Sequence, residues 1–259
     1  MKRFYWSFAI LCLVLSCVLL GVRSESARGN FHHRAKNLFS GAPCFMASTA
    51  FFFQCGGGGG DGGCGTGDPN DNEIQPVCSP IILDLSGAGF SLTSAQDGVL
   101  FDIAGTGRPI QIAWTTPGAD NAFLCLPDSG GKCDDGKDLF GNFTPQPQSP
   151  HHNGFAALAV YDQPANGGNG DGIIDARDKI FSSLRLWVDS NHDGICQPGE
   201  LFTLPSQGVN SISLNYHLSM KRDQFGNLFR YRARVNPDGS PDDSDVGRTA
   251  YDVFLTTVN

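Results

Sequence analysis

Glutamate is almost missing from this chain. Only Glu25, Glu73 and Glu200 occur, against 23 aspartates. Glu favours helices, whereas Asp favours caps, turns and metal loops, so the acid of this protein is concentrated in loops. Basic charge is also scarce: Lys and Arg total 18 against 26 acids, for a formal net charge of −8. A nucleic-acid partner is therefore not expected, because neutralising phosphates takes a basic face. A hard cation held by oxygens is the partner this balance favours. The chain contains no G-x-S-x-G, no P-loop and no HExxH. The signatures of an esterase elbow, a nucleotide cradle and a zinc protease are thus all absent. Glycine is abundant, at 33 residues, but it follows no Gly-X-Y period, so a collagen-like rod is excluded.

The N-terminus reads as an address. Met1-Lys2-Arg3 is positive, Phe4 to Val22 is apolar apart from two serines, and Arg23 to Ser26 turns polar. Residues 1–26 fit a secretory signal peptide. The apolar run is also close to the length of a spanning helix, so an uncleaved membrane anchor is the alternative. The protein is expected to be secreted, on the cell surface or periplasmic. It would meet the membrane only if that segment stays attached.

Residues 27–78 form a Gly/Cys-rich linker. Cys44, Cys55, Cys64 and Cys78 bracket a run of five glycines, Gly56 to Gly60. Two disulfides are expected there, with the pairing open among three arrangements. A zinc knot fits less well, because CxxC spacing and nearby His are lacking. Downstream, Cys125 and Cys133 could close a local loop, which leaves Cys196 as the odd thiol.

From Ser79 to the end at Asn259 the pattern becomes that of a folded domain. Short apolar runs punctuated by glycine turns mark strands at Pro80 to Leu85, Gly98 to Ile103, Pro109 to Trp114 and Ala122 to Leu126. Gly154 to Tyr161 reads as a short helix. Ala176 to Val188 reads as a longer one, with Ile180, Leu184 and Trp187 at i, i+4 and i+7. Further strands are expected at Val209 to Asn215, Asn227 to Val235 and Tyr251 to Val258.

The segment Asp189 to Glu200 matches D-x-[DN]-x-[DN]-G-x5-E at every fixed position. Calcium takes six to eight oxygens at roughly 2.3–2.6 Å. Asp189, Asn191 and Asp193 stand at alternate positions, so a curling chain turns all three inward. Gly194 permits the sharp turn. The Ile195 carbonyl, Gln197 and Glu200 complete the set. The placement of one of only three glutamates at the closing position is informative. A second loop lies upstream, with Asn169, Asp171, Ile173, Asp175 and Asp178 at equivalent spacings. Its first position is Gly167, which has no side chain, so a bulge is expected to swing Asp162 or Asn166 into that place. A third acidic group, Asp128, Asp134, Asp135 and Asp138, lacks this spacing.

Together these segments resemble the EF-hand-like calcium-binding module of bacterial RTX-type and haemolysin-related secreted proteins. The relevant residues are Pro80-Ile81-Ile82-Leu83-Asp84-Leu85, Val99 to Ile103, Asp138-Leu139-Phe140-Gly141, Gly154 to Leu158, the two loops and Gly199-Glu200-Leu201. The resemblance extends to the self-processing module of an iron-regulated RTX protein. It implies an α+β fold: a small β-layer with an EF-hand-like pair of calcium loops sharing the helix from Ala176 to Val188. It also implies an exported protein whose only cofactor is Ca2+ and whose other partners would be envelope or extracellular proteins. The expected function is non-enzymatic, with the domain ordered by Ca2+. The alternatives are calcium-triggered Asp–Pro self-cleavage and a calcium-stiffened adhesive surface. The chain departs from the self-processing pattern at the start of the module, where Ser79-Pro80 stands in place of Asp-Pro. It also lacks the G-G-x-G-x-D repeats of an RTX β-roll.

Overall fold

A computed structural model describes residues 78–237 and 248–258. The expectations for residues 1–26 and for most of the 27–78 linker lie outside the described residues. So do all linker cysteines except Cys78, which is disulfide-bonded.

The centre of the domain is a seven-stranded antiparallel sheet. Its strands are β1 (Ile81–Asp84), β4 (Asn121–Cys125), β6 (Arg185–Trp187), β7 (Leu201–Thr203), β9 (His217–Arg222), β10 (Leu228–Arg234) and β11 (Thr249–Phe254), in the order β7-β6-β4-β1-β11-β10-β9. Two ribbons flank it: β2 (Val99–Phe101) with β3 (Ile110–Ile112), and β5 (Ile173–Asp175) with β8 (Ser211–Ser213).

The middle of the sheet, at β1 and β4, is buried on both faces, and this explains the sequence there. A half-buried strand alternates apolar and polar residues, whereas one covered on both sides reads as a continuous apolar run. Every residue of Ile81–Asp84 and Asn121–Cys125 is buried. Successive side chains enter opposite cores: Ile81 and Leu83 join one, Ile82 and Phe123 the other. The first core is closed by the helix α1 (Gly154–Ala159) and by Ile174 and Ile212 of the β5–β8 ribbon. Asn153 caps α1 by accepting from the Ala156 amide. The second core is closed by the β2–β3 ribbon and is rich in aromatics. Trp114, Trp187, Phe101 and Phe123 meet with ring centroids 4.2–5.9 Å apart.

The α+β expectation, with an EF-hand-like pair of loops sharing the helix from Ala176 to Val188, is wrong. Among the described residues the one α-helix is α1, of six residues, and the structure is mostly β. The segment Ala176 to Val188 is not a helix. It is a chain of turns from Ala176 to Ser183 followed by strand β6. Its i, i+4, i+7 spacing served two different cores. Leu184 and Leu186 enter the first, Trp187 the second. The two loops are therefore not a back-to-back pair. Ile174 and Cys196, one from each loop, belong to cores on opposite faces of the sheet.

Candidate functional site

Strand β6 delivers the chain directly into the loop at Asp189, and β7 receives it after Glu200. Both terminal carboxylates are buried, at 2 % and 7 % exposure. Each is held by backbone amides and one indole. Asp189 accepts from the amides of Asp193 (3.2 Å) and Gly194 (2.9 Å) and from Trp114 Nε1 (2.8 Å). Glu200 accepts from the amides of Ser190 (3.0 Å) and Gln197 (3.4 Å) and from Trp187 Nε1 (3.2 Å). The loop is thus stitched at its first and last positions by charge-assisted hydrogen bonds. Gly194 lies at φ 69°, in the left-handed region the tight turn demands.

Between these anchors three side-chain heads converge. Asn191 Nδ2 and Gln197 Nε2 both donate to Asp193 Oδ2, at 2.8 and 2.7 Å. These hydrogen bonds, with one from the Ile195 amide, help hold the Asp193 carboxyl below its ordinary pKa against the opposing effect of desolvation. Rotating either amide head by half a turn replaces its donor with an oxygen at the same place. The donor set is then all oxygen, as calcium requires. His192 fixes the loop to the β2–β3 side, with Nδ1 2.7 Å from the Thr115 carbonyl and Nε2 2.9 Å from that of Asp97.

The upstream loop repeats this wiring. Asp162, buried at the end of a 3₁₀ turn (Val160–Asp162), accepts from the amides of Gly170 (2.9 Å) and Gly172 (3.0 Å). The turn Pro164–Asn166 forms the bulge that brings it there. Asp178, also buried, accepts from the amides of Asn169 (3.2 Å) and Asp175 (2.8 Å). Asp162 therefore stands to this loop as Asp189 does to the other, and Asp178 as Glu200. One feature differs. The Arg177 guanidinium bridges Asp171 and Asp175, each at 2.6 Å, and pulls the Asp175 carboxyl below its ordinary pKa. The Ile173 side chain lies in β5, paired with Ser213.

Among the described residues no three His, Cys, Asp or Glu side chains converge as a ready-made metal cage. In both loops the end carboxylates face amides, and the heads between them are largely amide groups and Asp. The third acidic group is a set of turn caps. Asp138 accepts from the Asp134 and Asp135 amides, and Asp128 from those of Gly130 and Lys132. Asp84 and Asp102 do the same for the glycine turns that follow β1 and β2.

Sequence reasoning missed one further group. Asp252, in the middle of β11, is fully buried. Its Oδ2 accepts from the Gly154 amide at 2.9 Å, while Oδ1 has no hydrogen bond of good geometry. Burial pushes its pKa up to about 7. The nearby Ser79 hydroxyl and the Gly154 amide pull the other way. An acid inside the apolar run Tyr-Asp-Val-Phe-Leu was the signal that could have found it. Ser79 is itself 1 % exposed, and its amide donates to Asn142 Oδ1 at 2.9 Å. Its carbonyl packs so close to Gly141 that a Cβ there would lie 1.6 Å from the oxygen. The junction where the domain begins is thus enclosed, with a carboxyl of raised pKa beside it.

No helix among the described residues is long and apolar enough to cross a membrane. The chain is 38 % identical over 153 residues to the iron-regulated protein FrpA of Neisseria meningitidis serogroup C. That match covers 58 % of this chain but only 13 % of the relative's length. Residues 81–251, which run from the first strand of the central sheet into β11, match the SPM domain, and the chain belongs to that family.

Proposed function

We propose that the chain is a self-processing-type module of an exported, RTX-related protein, and that calcium in the loops at 189–200 and 162–178 completes its fold. The observation that carries this reading is the wiring common to both loops. In each, a buried first carboxylate collects amides inside the loop and a buried last carboxylate closes it. Membership in the SPM family weights the reading toward a processing module rather than a free-standing calcium carrier. Asp189, Asn191, Asp193, Gln197, Glu200 and the Ile195 carbonyl would hold the ion in the first loop. Asp162, Asn169, Asp171, Asp175, Asp178 and the Ile173 carbonyl would hold it in the second. The ion would supply the positive charge that lets the paired acids close without mutual repulsion.

The processing step would fall at the enclosed junction. Self-cleavage at Asp–Pro uses the aspartate's own carboxylate against its own carbonyl carbon. Ser79 has a hydroxyl there and cannot form that anhydride. The native chain is therefore expected to stay whole, while Ser79→Asp should convert it into a calcium-dependent cleaving form. The test is incubation of the full chain and of Ser79→Asp with calcium or with chelator, read by intact mass and by thermal melting. A calcium-dependent rise in melting temperature in both chains is the expected result, with cleavage in the variant alone, at the bond preceding Pro80. An unchanged melt refutes calcium ordering. A variant that is ordered by calcium yet remains uncut refutes the processing half.

A further inference from the structure

The domain holds two tryptophans, and both indoles end on the same loop. Trp114 and Trp187 are fully buried. A buried indole N–H meets no water and needs an acceptor inside the protein. Here each donates to a carboxylate: Trp114 Nε1 to Asp189 Oδ2 at 2.8 Å, and Trp187 Nε1 to Glu200 Oε2 at 3.2 Å. These acids stand at the first and last places of the loop 189–200.

Both rings are fixed from behind. Trp187 lies in β6, in register with Phe123 of β4 and Leu201 of β7. Trp114 follows β3; its amide donates to Thr93 Oγ1 at 3.0 Å and its carbonyl accepts from the Thr93 amide at 2.8 Å. The two rings meet edge to face, with centroids 5.5 Å apart, and each also packs on Phe101 and Phe123. In a close-packed core neither indole can turn without displacing its neighbours. The core, and not the loop alone, therefore aims the two acids.

The aim is specific to one oxygen of each. The oxygen that takes the indole also takes an amide, from Gly194 at Asp189 Oδ2 and from Gln197 at Glu200 Oε2. With two donors its lone pairs are filled. The other oxygen takes one amide, from Asp193 at Asp189 Oδ1 and from Ser190 at Glu200 Oε1, and keeps a lone pair. In the upstream loop the corresponding acids, Asp162 and Asp178, are held by backbone amides.

We propose that Trp114 and Trp187 are positioning residues of the calcium site at 189–200: each indole occupies one oxygen of an end acid and so leaves the other, Asp189 Oδ1 or Glu200 Oε1, for the ion. The proposal rests on the calcium reading above and names the groups outside the loop that set its affinity. Hydrogen bonds that orient a metal-binding side chain from behind change affinity by about 10–100-fold.

The test is calorimetric titration of calcium into the full chain, Trp114→Phe and Trp187→Phe, with thermal melting of each in chelator. Phenylalanine keeps a ring in the core and removes the N–H. The step that Asp189→Ala abolishes identifies the 189–200 loop. Each tryptophan variant should weaken that step by about tenfold and leave the 162–178 step as in the parent. A purely structural role would lower the melt in chelator and move both steps together or neither. Should a variant not fold, the parent carries the test: with isotope-labelled tryptophan, two of the three indole N–H signals should be protected from solvent exchange and should shift as the 189–200 step saturates. A parent that binds no calcium overturns the calcium reading and this inference with it. A parent that binds, with variants that change both steps equally or neither, or with indole signals that stay still, overturns this inference alone.

Discussion

Replacing Asp252 by asparagine should change how the stability of this protein depends on pH. The carboxyl is fully buried, and desolvation raises its pKa from 3.8 to about 7. Between those values the native state holds a proton that the unfolded chain releases. Stability therefore falls as pH rises through that window, and above pH 7 the fold carries the full penalty of a buried charge. Three pKa units at 1.36 kcal/mol each make that penalty roughly 4 kcal/mol. Asparagine keeps an oxygen for the Gly154 amide and never ionises. Asp252→Asn should thus match the parent near pH 4 and exceed it above pH 7. For a domain of this size the gap corresponds to a melting difference on the order of 10 °C. The assay is thermal or urea unfolding of both chains from pH 4 to pH 8 in chelator. Subtracting the two profiles removes carboxylates with the opposite slope, such as Asp175 and Asp193, whose pKa values are lowered. A flat difference between parent and variant across this range would refute the argument.

Three other substitutions probe the site. Asp189→Ala leaves Trp114 Nε1 and the amides of Asp193 and Gly194 without their acceptor. It should cost about 3 kcal/mol or more in chelator and abolish the calcium response of tryptophan emission in urea-controlled titrations. Arg177→Ala removes the cation already bridging Asp171 and Asp175. It should tighten calcium binding to the 162–178 loop several-fold by calorimetry and leave the step assigned to 189–200 unchanged. Gly141→Ala drives a Cβ into the Ser79 carbonyl and should lower the melting temperature sharply in chelator and calcium alike.

Local features were legible in the sequence, because local features are written in consecutive residues. Asp189 and Glu200 accept from amides within the loop between them, and Asp162 accepts from the Gly170 and Gly172 amides of the upstream loop. Most strands were also found, since Pro80 to Leu85 or Ala122 to Leu126 can only be apolar if both sides are covered. Strands β5, β6, β7 and β9 were missed. Arg185–Trp187 is a short strand made by its neighbours β4 and β7, and its residues alone fit a helical period equally well. His217–Arg222 is a mostly exposed edge that carries no apolar run to betray it.

The amino-acid order by itself determined where the chain turns, which residues are apolar, and the oxygen-rich composition of two loops, for these depend on residues a few places apart. Only the folded chain decided that the loops lie on opposite faces of a sheet and that Ser79 is shut in beside Asp252. Each of these joins residues far apart in sequence, and no local periodicity encodes a contact whose partner is supplied by another strand.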